Sequence, residues 1–235
     1  SRGLTNGWLI GTAVALNALP PLAVTATIGL EHVAHAWLSL VFAILVSRIA
    51  SGEAPPKRAG LWLVITSAIL VACRFEGLFL VGCGALMLAR RRFLLAVAAV
   101  IASLLPVAIH AAAAIAQGWN ALPAPLIIKG NYPAALSTAA VVDATTARVV
   151  KIGGLLGLAS TGVAMATLLA VSAANAIALV HAAARRQAVS IDVRMSLLTI
   201  GAITLHAMLA GMDRIFGRYE TYLIVFGVVS ALPWL

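Results

Sequence analysis

Acidic residues are scarce in this chain: seven Asp and Glu among 235 residues, against sixteen Lys and Arg. Charged residues of both signs reach only 10%, where soluble domains carry roughly 25%. That poverty excludes an ordinary water-soluble domain, whose surface needs mixed charge. Cysteine is nearly absent as well. Cys73 and Cys83 each lie inside an apolar run, so they read as small core residues and exclude a disulfide framework or a cysteine-based metal site. No charged n-region, h-region and cleavage-site pattern precedes the first apolar run, so no signal peptide is expected. There is no internal repeat, and no stretch has the composition of a second, soluble domain.

What the chain does have is hydrophobic length. Hydrophobic residues make up 63% and the mean hydropathy is +1.06, the composition of a polytopic integral membrane protein. A span needs about 20 apolar residues, fewer where it is shielded by protein. Eight membrane segments are expected: 8–25, 30–48, 59–73, 77–89, 93–116, 152–181, 195–212 and 220–235, the third and fourth being too short to cross comfortably as independent helices. The fold class is therefore an all-α transmembrane helix bundle. Pro20-Pro21, Gly52 with Pro55-Pro56, and Gly118 supply breaks between the runs. The sequence opens at Ser1 without a Met and stops at Leu235 within an apolar run. Residues 1–235 are thus expected to be the transmembrane domain of a longer chain, with 118–151 as its one long outer loop.

Lys and Arg set the expected orientation. With residue 1 inside, the turns 49–58, 90–92 and 182–194, with their margins, fall in the cytoplasm. Ten basic residues lie there (Arg2, Arg48, Lys57, Arg58, Arg90, Arg91, Arg92, Arg185, Arg186 and Arg194) against the two acids Glu53 and Asp192, a net +8. The opposite side carries six basic residues and five acids, a net +1, and the two sides together recover the +9 of the chain. The positive-inside rule selects this topology. It also accounts for the basic pI through anionic lipid headgroups, so membrane lipids are expected partners and nucleic acid is not.

Four outer clusters carry the candidate chemistry. In Gly29-Leu30-Glu31-His32-Val33-Ala34-His35, a helix starting near Gly29 puts Glu31 and His35 four apart on one face, with His32 beside them. Such a carboxylate and imidazole pair can bind sugar hydroxyls, orient a substrate or hold a divalent ion; equally, Glu suits a helix N-terminus and His an interface. The order differs from the zinc-protease pattern His-Glu-x-x-His, so no metal site is assigned and a divalent cofactor is compatible but not required. Arg74-Phe75-Glu76-Gly77 sets two opposite charges between short apolar runs. An ionisable residue at bilayer depth costs roughly 2.5 to 3.5 kcal/mol, so it persists where it has a partner or a function. It can be a buried pair that fixes helix packing, or Arg74 can fork onto phosphate. Lys129, in the apolar loop segment 122–133, can meet phosphate or simply snorkel. Arg218 and Tyr219 lie in the turn Asp213 to Tyr222, where substrate contact and interfacial anchoring are both open.

Taken together, Gly29-Leu30-Glu31-His32 at a helix start, Arg74-Phe75-Glu76-Gly77 between two short helices, the Lys-bearing loop and Gly217-Arg218-Tyr219-Glu220 before a late helix resemble the GT-C class of multispanning glycosyltransferases. Arg74 to Gly77 is similar to the Arg-Pro-Glu-Gly element of bacterial arabinofuranosyl and mannosyl transferases, with Phe75 at the Pro position. The resemblance runs from about residue 29 to the C-terminus. It implies transfer of a sugar from a polyprenyl-phosphate donor to a lipid, glycan or protein acceptor on the extracytoplasmic face of a bacterial plasma membrane. It also implies a site lined by Glu31, His32, His35, Arg74, Glu76, Lys129, Arg218 and Tyr219. The family's catalytic acid usually lies in a first outer loop, expected upstream of Ser1, so no residue here is assigned as the general base.

Two other function classes use similar parts. A transporter also has intramembrane charges and broken helices, but needs groups at several depths, and here mainly His110, Asn175 and His206 fall within spans. A non-catalytic envelope scaffold would use the outer charges as contacts.

Overall fold

The computed structural model describes residues 30–52, 58–121, 142–143, 146–147, 159–185, 190–209 and 221–234. Seven α-helices lie within them: α1 (Leu30–Ser51), α2 (Ala59–Cys73), α3 (Gly77–Ala89), α4 (Phe93–Ala116), α5 (Ala159–Ala184), α6 (Ile191–Leu209) and α7 (Thr221–Ala231), the last running into a 3-10 turn, Leu232–Trp234. No strand occurs among the described residues.

The expectation of about eight membrane segments is corrected by these lengths. Among the described residues, three helical stretches are long and apolar enough to cross a membrane: Val33–Ser51, Phe93–Ala116 and Ala166–Ala184. At about 1.5 Å per residue, the 15, 13 and 11 residues of α2, α3 and α7 fall well short of a hydrocarbon core about 30 Å thick. The expected first segment, 8–25, lies outside the described residues.

Boundaries follow local chemistry. Arg74 is extended (φ −157°, ψ 133°), which stops α2 while its N–H still donates to the Leu70 carbonyl at 3.1 Å. At the far end of α4, Gly118 takes a left-handed φ of 74°, letting the Gly118 and Trp119 N–H groups close onto the Ile115 and Ala114 carbonyls. α4 continues through Pro106, although that residue has no N–H to give to the helix.

α1 lies at the centre. It packs on α2 and α3 to one side and on α6 and α7 to the other; α4 covers α2 and α3, and α5 covers α6 and α7. Phe42, Leu63, Leu80, Leu198, Leu223 and Phe226 fill the common core, each essentially inaccessible. The two flanking helices differ in character. α4 leaves a broad apolar face uncovered, with Leu94 82% and Ile101 63% exposed. α5, by contrast, is tied to its neighbours by buried polar bonds. Asn175 donates to the carbonyls of Val171 (2.9 Å) and Gly227 (3.0 Å), Ser230 donates to Asn175 Oδ1 (2.9 Å), and Thr199 Oγ1 lies 2.8 Å from Ser230 Oγ. Satisfied in this way, three polar side chains from three helices can be buried without the cost of orphaned groups.

The contacts fix which ends lie together. Arg91 Nη1 donates to the Ala50 carbonyl at 3.3 Å, so the end of α1 meets the turn between α3 and α4. Phe79 meets His206, and a methyl at Gly201 would sit 2.8 Å from Cys83 Sγ, so α3 and α6 run antiparallel and the start of α6 lies toward the end of α3. Arg48, Arg58, Arg90, Arg91, Arg92 and Arg194 therefore share one end of the bundle, the arginine end. Opposite lies a histidine end.

Close approach of α7 to α5 depends on Gly227, where an added Cβ would collide with the stiff, β-branched Val171 and sit 3.4 Å from Thr199 Cγ2. Gly227→Ala is expected to destabilise the bundle by about 1–3 kcal/mol. Gly82→Ala, where nothing lies within 4 Å, should be neutral or slightly stabilising. Thermal unfolding of the two variants in detergent checks this; equal melting temperatures would contradict the packing described.

Candidate functional site

The histidine end is organised by the joint between α2 and α3. Gly77, Leu78 and Phe79 N–H groups donate to the carbonyls of Arg74, Phe75 and Glu76 at 3.0, 3.0 and 3.1 Å, a run of tight turns that reverses the chain in three residues. Gly77 is required by closeness: a Cβ there would lie 2.9 Å from Leu70 Cγ and 3.1 Å from the Leu70 carbonyl oxygen. Such a turn brings Arg74 and Glu76 side by side. Arg74 Nη2 donates to Glu76 Oε1 at 2.8 Å, with the two side chains only 8% and 14% exposed. Burial works against the Glu76 charge, but the hydrogen bond and charge of Arg74 outweigh it, so the carboxyl ionises below its ordinary value.

Aromatic and imidazole rings surround this joint. Phe75 reaches outward to His110 of α4, edge to face, with centroids 5.6 Å apart. Phe79, one turn into α3, meets His206 of α6 at 5.9 Å. His206 Nδ1 lies 3.2 Å from the Tyr222 hydroxyl of α7, and the Tyr222 ring stands edge-on to His35 of α1 at 4.5 Å. His35 is 0% exposed, with the Leu70 carbonyl of α2 as the backbone acceptor beside its ring. The charges of Arg74 and Glu76 act on its ring across the same space.

Of the eight residues singled out in the sequence, His35, Arg74 and Glu76 are thus brought to one end of the bundle. Glu31 and His32 fall in the first turn of α1, with their side chains outside the described residues, and Lys129, Arg218 and Tyr219 also lie outside them. Sequence reasoning missed His206 and Tyr222 as neighbours of the site. Their signal was present: each is a polar ring in a strongly apolar run, but only the packing of α6 against α7 shows that they meet. No three His, Cys, Asp or Glu side chains gather as a metal site among the described residues. Chemically, the assembly offers one guanidinium, one ionised carboxylate and two imidazoles bridged by a phenol, the parts needed to hold an anion and to accept or pass on a proton.

No protein-family model, no curated protein and no solved structure matches this chain.

Since Arg74 and Glu76 are mostly buried, removing one leaves the other's charge in a poor solvent. Arg74→Met should cost about 3 kcal/mol. Adding Glu76→Gln to it should recover part of that loss, a coupling of about 1–3 kcal/mol in a double-mutant cycle. Strictly additive effects on unfolding would show that the pair contributes nothing to the joint.

Proposed function

We propose that this chain is part of a multi-pass membrane glycosyltransferase that uses a polyprenyl-phosphate sugar donor, with its active side extracytoplasmic. One observation carries the reading. His35, Arg74, Glu76, His206 and Tyr222 gather at one end of the bundle, while the arginines of the turns gather at the other. In a membrane, the positive-inside rule sets the arginine end in the cytoplasm and the histidine end outside.

Each part of such a donor has a counterpart in this arrangement. A polyprenyl tail needs an apolar surface, which the uncovered face of α4 provides. Its phosphate needs cations near the outer interface. Arg74 supplies a planar fork there, held in direction by Glu76, and Lys129 and Arg218 are the further cations assigned to the same role. The acceptor is a lipid, glycan or protein hydroxyl. Its proton needs a base, a role left unassigned here because the charge of Glu76 is committed to Arg74. Glu31, His32, His35 and Tyr219 complete the proposed lining. The plasma membrane of a bacterium is the proposed location.

Arg74→Lys separates this role from a purely structural one, because lysine keeps the charge that Glu76 needs but loses the fork. In the full-length protein it should lower transfer from a polyprenyl-phosphate sugar by about a hundredfold with the fold retained. Arg218→Ala should do the same. Normal transfer by both variants, or solute flux in proteoliposomes without any polyprenyl donor, would contradict the proposal.

A further inference from the structure

A second feature lies at the arginine end, away from the proposed transfer site. The last turn of α1, the start of α2 and the start of α4 enclose a groove of about 540 Å³. Arg91 and Arg92 supply its charge, and Ile49, Phe93, Leu94 and Leu95 supply apolar walls. Gly60 keeps it open, since a methyl there would already touch Leu95 Cδ1 at 3.4 Å. Arg91 is steadied by one bond from Nη1 to the Ala50 carbonyl, which leaves the rest of its guanidinium facing outward. No carboxylate pairs with Arg91 or Arg92 among the described residues.

Two cations that pair with no carboxylate among the described residues, set beside apolar walls, suit a ligand that is both anionic and hydrophobic. The surface leading away from the groove has the same dual character. Leu94, Val97, Ile101 and Leu105 recur at helical spacing along the uncovered face of α4, all exposed. A free phosphate would answer the arginines and leave that stripe bare, whereas a phospholipid answers both.

We propose that this groove is a binding site for the headgroup phosphate of an anionic glycerophospholipid in the cytoplasmic leaflet, with the acyl chains lying along α4. The inference rests on the membrane reading of the chain and is independent of the transfer reaction. Basic pockets between helices on the cytoplasmic side are suited to such headgroups, and each arginine near the surface strengthens binding by about fivefold. Held there, the lipid would join α1 to the turn between α3 and α4.

The test is native mass spectrometry of the detergent-solubilised full-length protein, titrated with phosphatidylglycerol, with phosphatidylcholine, and with inorganic phosphate as competitor. Phosphatidylglycerol should bind in preference. Arg92→Gln, whose side chain makes no hydrogen bond among the described residues, should weaken it about fivefold, and the Arg91→Gln/Arg92→Gln pair about thirtyfold. Gly60→Leu, which fills the groove without altering charge, should weaken it too. Arg90→Gln, which removes the same charge without lining the groove, should weaken binding less than Arg92→Gln does. Equal binding of the two lipids would overturn the proposal, as would a loss on Arg90→Gln as large as on Arg92→Gln, or full displacement of phosphatidylglycerol by inorganic phosphate. Carbonate extraction of membranes keeps the two levels apart: release of the protein sinks the membrane reading, whereas retention without lipid selectivity sinks the lipid site alone.

Discussion

Arg74 and Glu76 neutralise each other at the point where the chain breaks between two short helices, and the histidine end is built against that break. A helix interrupted among apolar neighbours leaves carbonyl and N–H groups to be satisfied and charges to be neutralised. Three residues do both: the backbone closes in consecutive turns, and the 2.8 Å ion pair removes the net charge. Gly77 permits it, because any larger residue would strike Leu70. With the joint fixed, Phe75 and Phe79 point to opposite flanks and make contact with His110 and His206. His35 and Tyr222 then close the layer from α1 and α7. A structural ion pair and a functional arginine are therefore compatible here, since the pair holds the guanidinium in place.

The remainder of the bundle segregates polarity by depth. The histidine layer marks one end and the arginine turns the other. Between them the only polar network described is that of Asn175, Thr199 and Ser230, and its bonds are internal. Such a network stitches α5, α6 and α7 together and presents no charge along the way. A conduction path needs groups that an ion or solute can meet at successive depths, and among the described residues the ionisable groups lie toward the two ends instead. The uncovered apolar face of α4 runs from beside the cations of the groove toward the joint, so both proposals draw on it.

How much of this was legible in the sequence depends on whether the signal was local. α2, α3 and α4 begin and end where the sequence indicates, because Arg58, Arg74 to Gly77, Arg90 to Arg92 and Gly118 interrupt apolar runs that contain nothing else polar enough to compete. One later helix shifts: α6 starts at Ile191 where 195 was expected. There, Asp192 and Arg194 occupy the first turn, so the helix begins before its apolar run does. The number of spans was overestimated because short apolar runs were counted with the long ones; a helix of 11 to 15 residues can be as apolar as a membrane span. At the site, Arg74, Glu76 and His35 could be singled out as charges and imidazoles out of place. The partnership of His206 with Tyr222, sixteen residues apart on different helices, could not, because it depends on how α6 packs against α7. The groove at the arginine end was visible only as charge until the folded chain brought Ile49 and Gly60 to Arg91 and Arg92.

The central claim is that the two ends of the bundle face opposite sides of a membrane, with the histidine end outside. Single cysteines at Gln117, at the histidine end of α4, and at Arg90, at the arginine end of α3, test it in a background carrying Cys73→Ser and Cys83→Ala; both positions are exposed. A membrane-impermeant thiol reagent applied to intact cells should label the cysteine at 117, and should reach the one at 90 only after permeabilisation. Labelling of both from the same side, or of 90 alone from outside, would contradict the account.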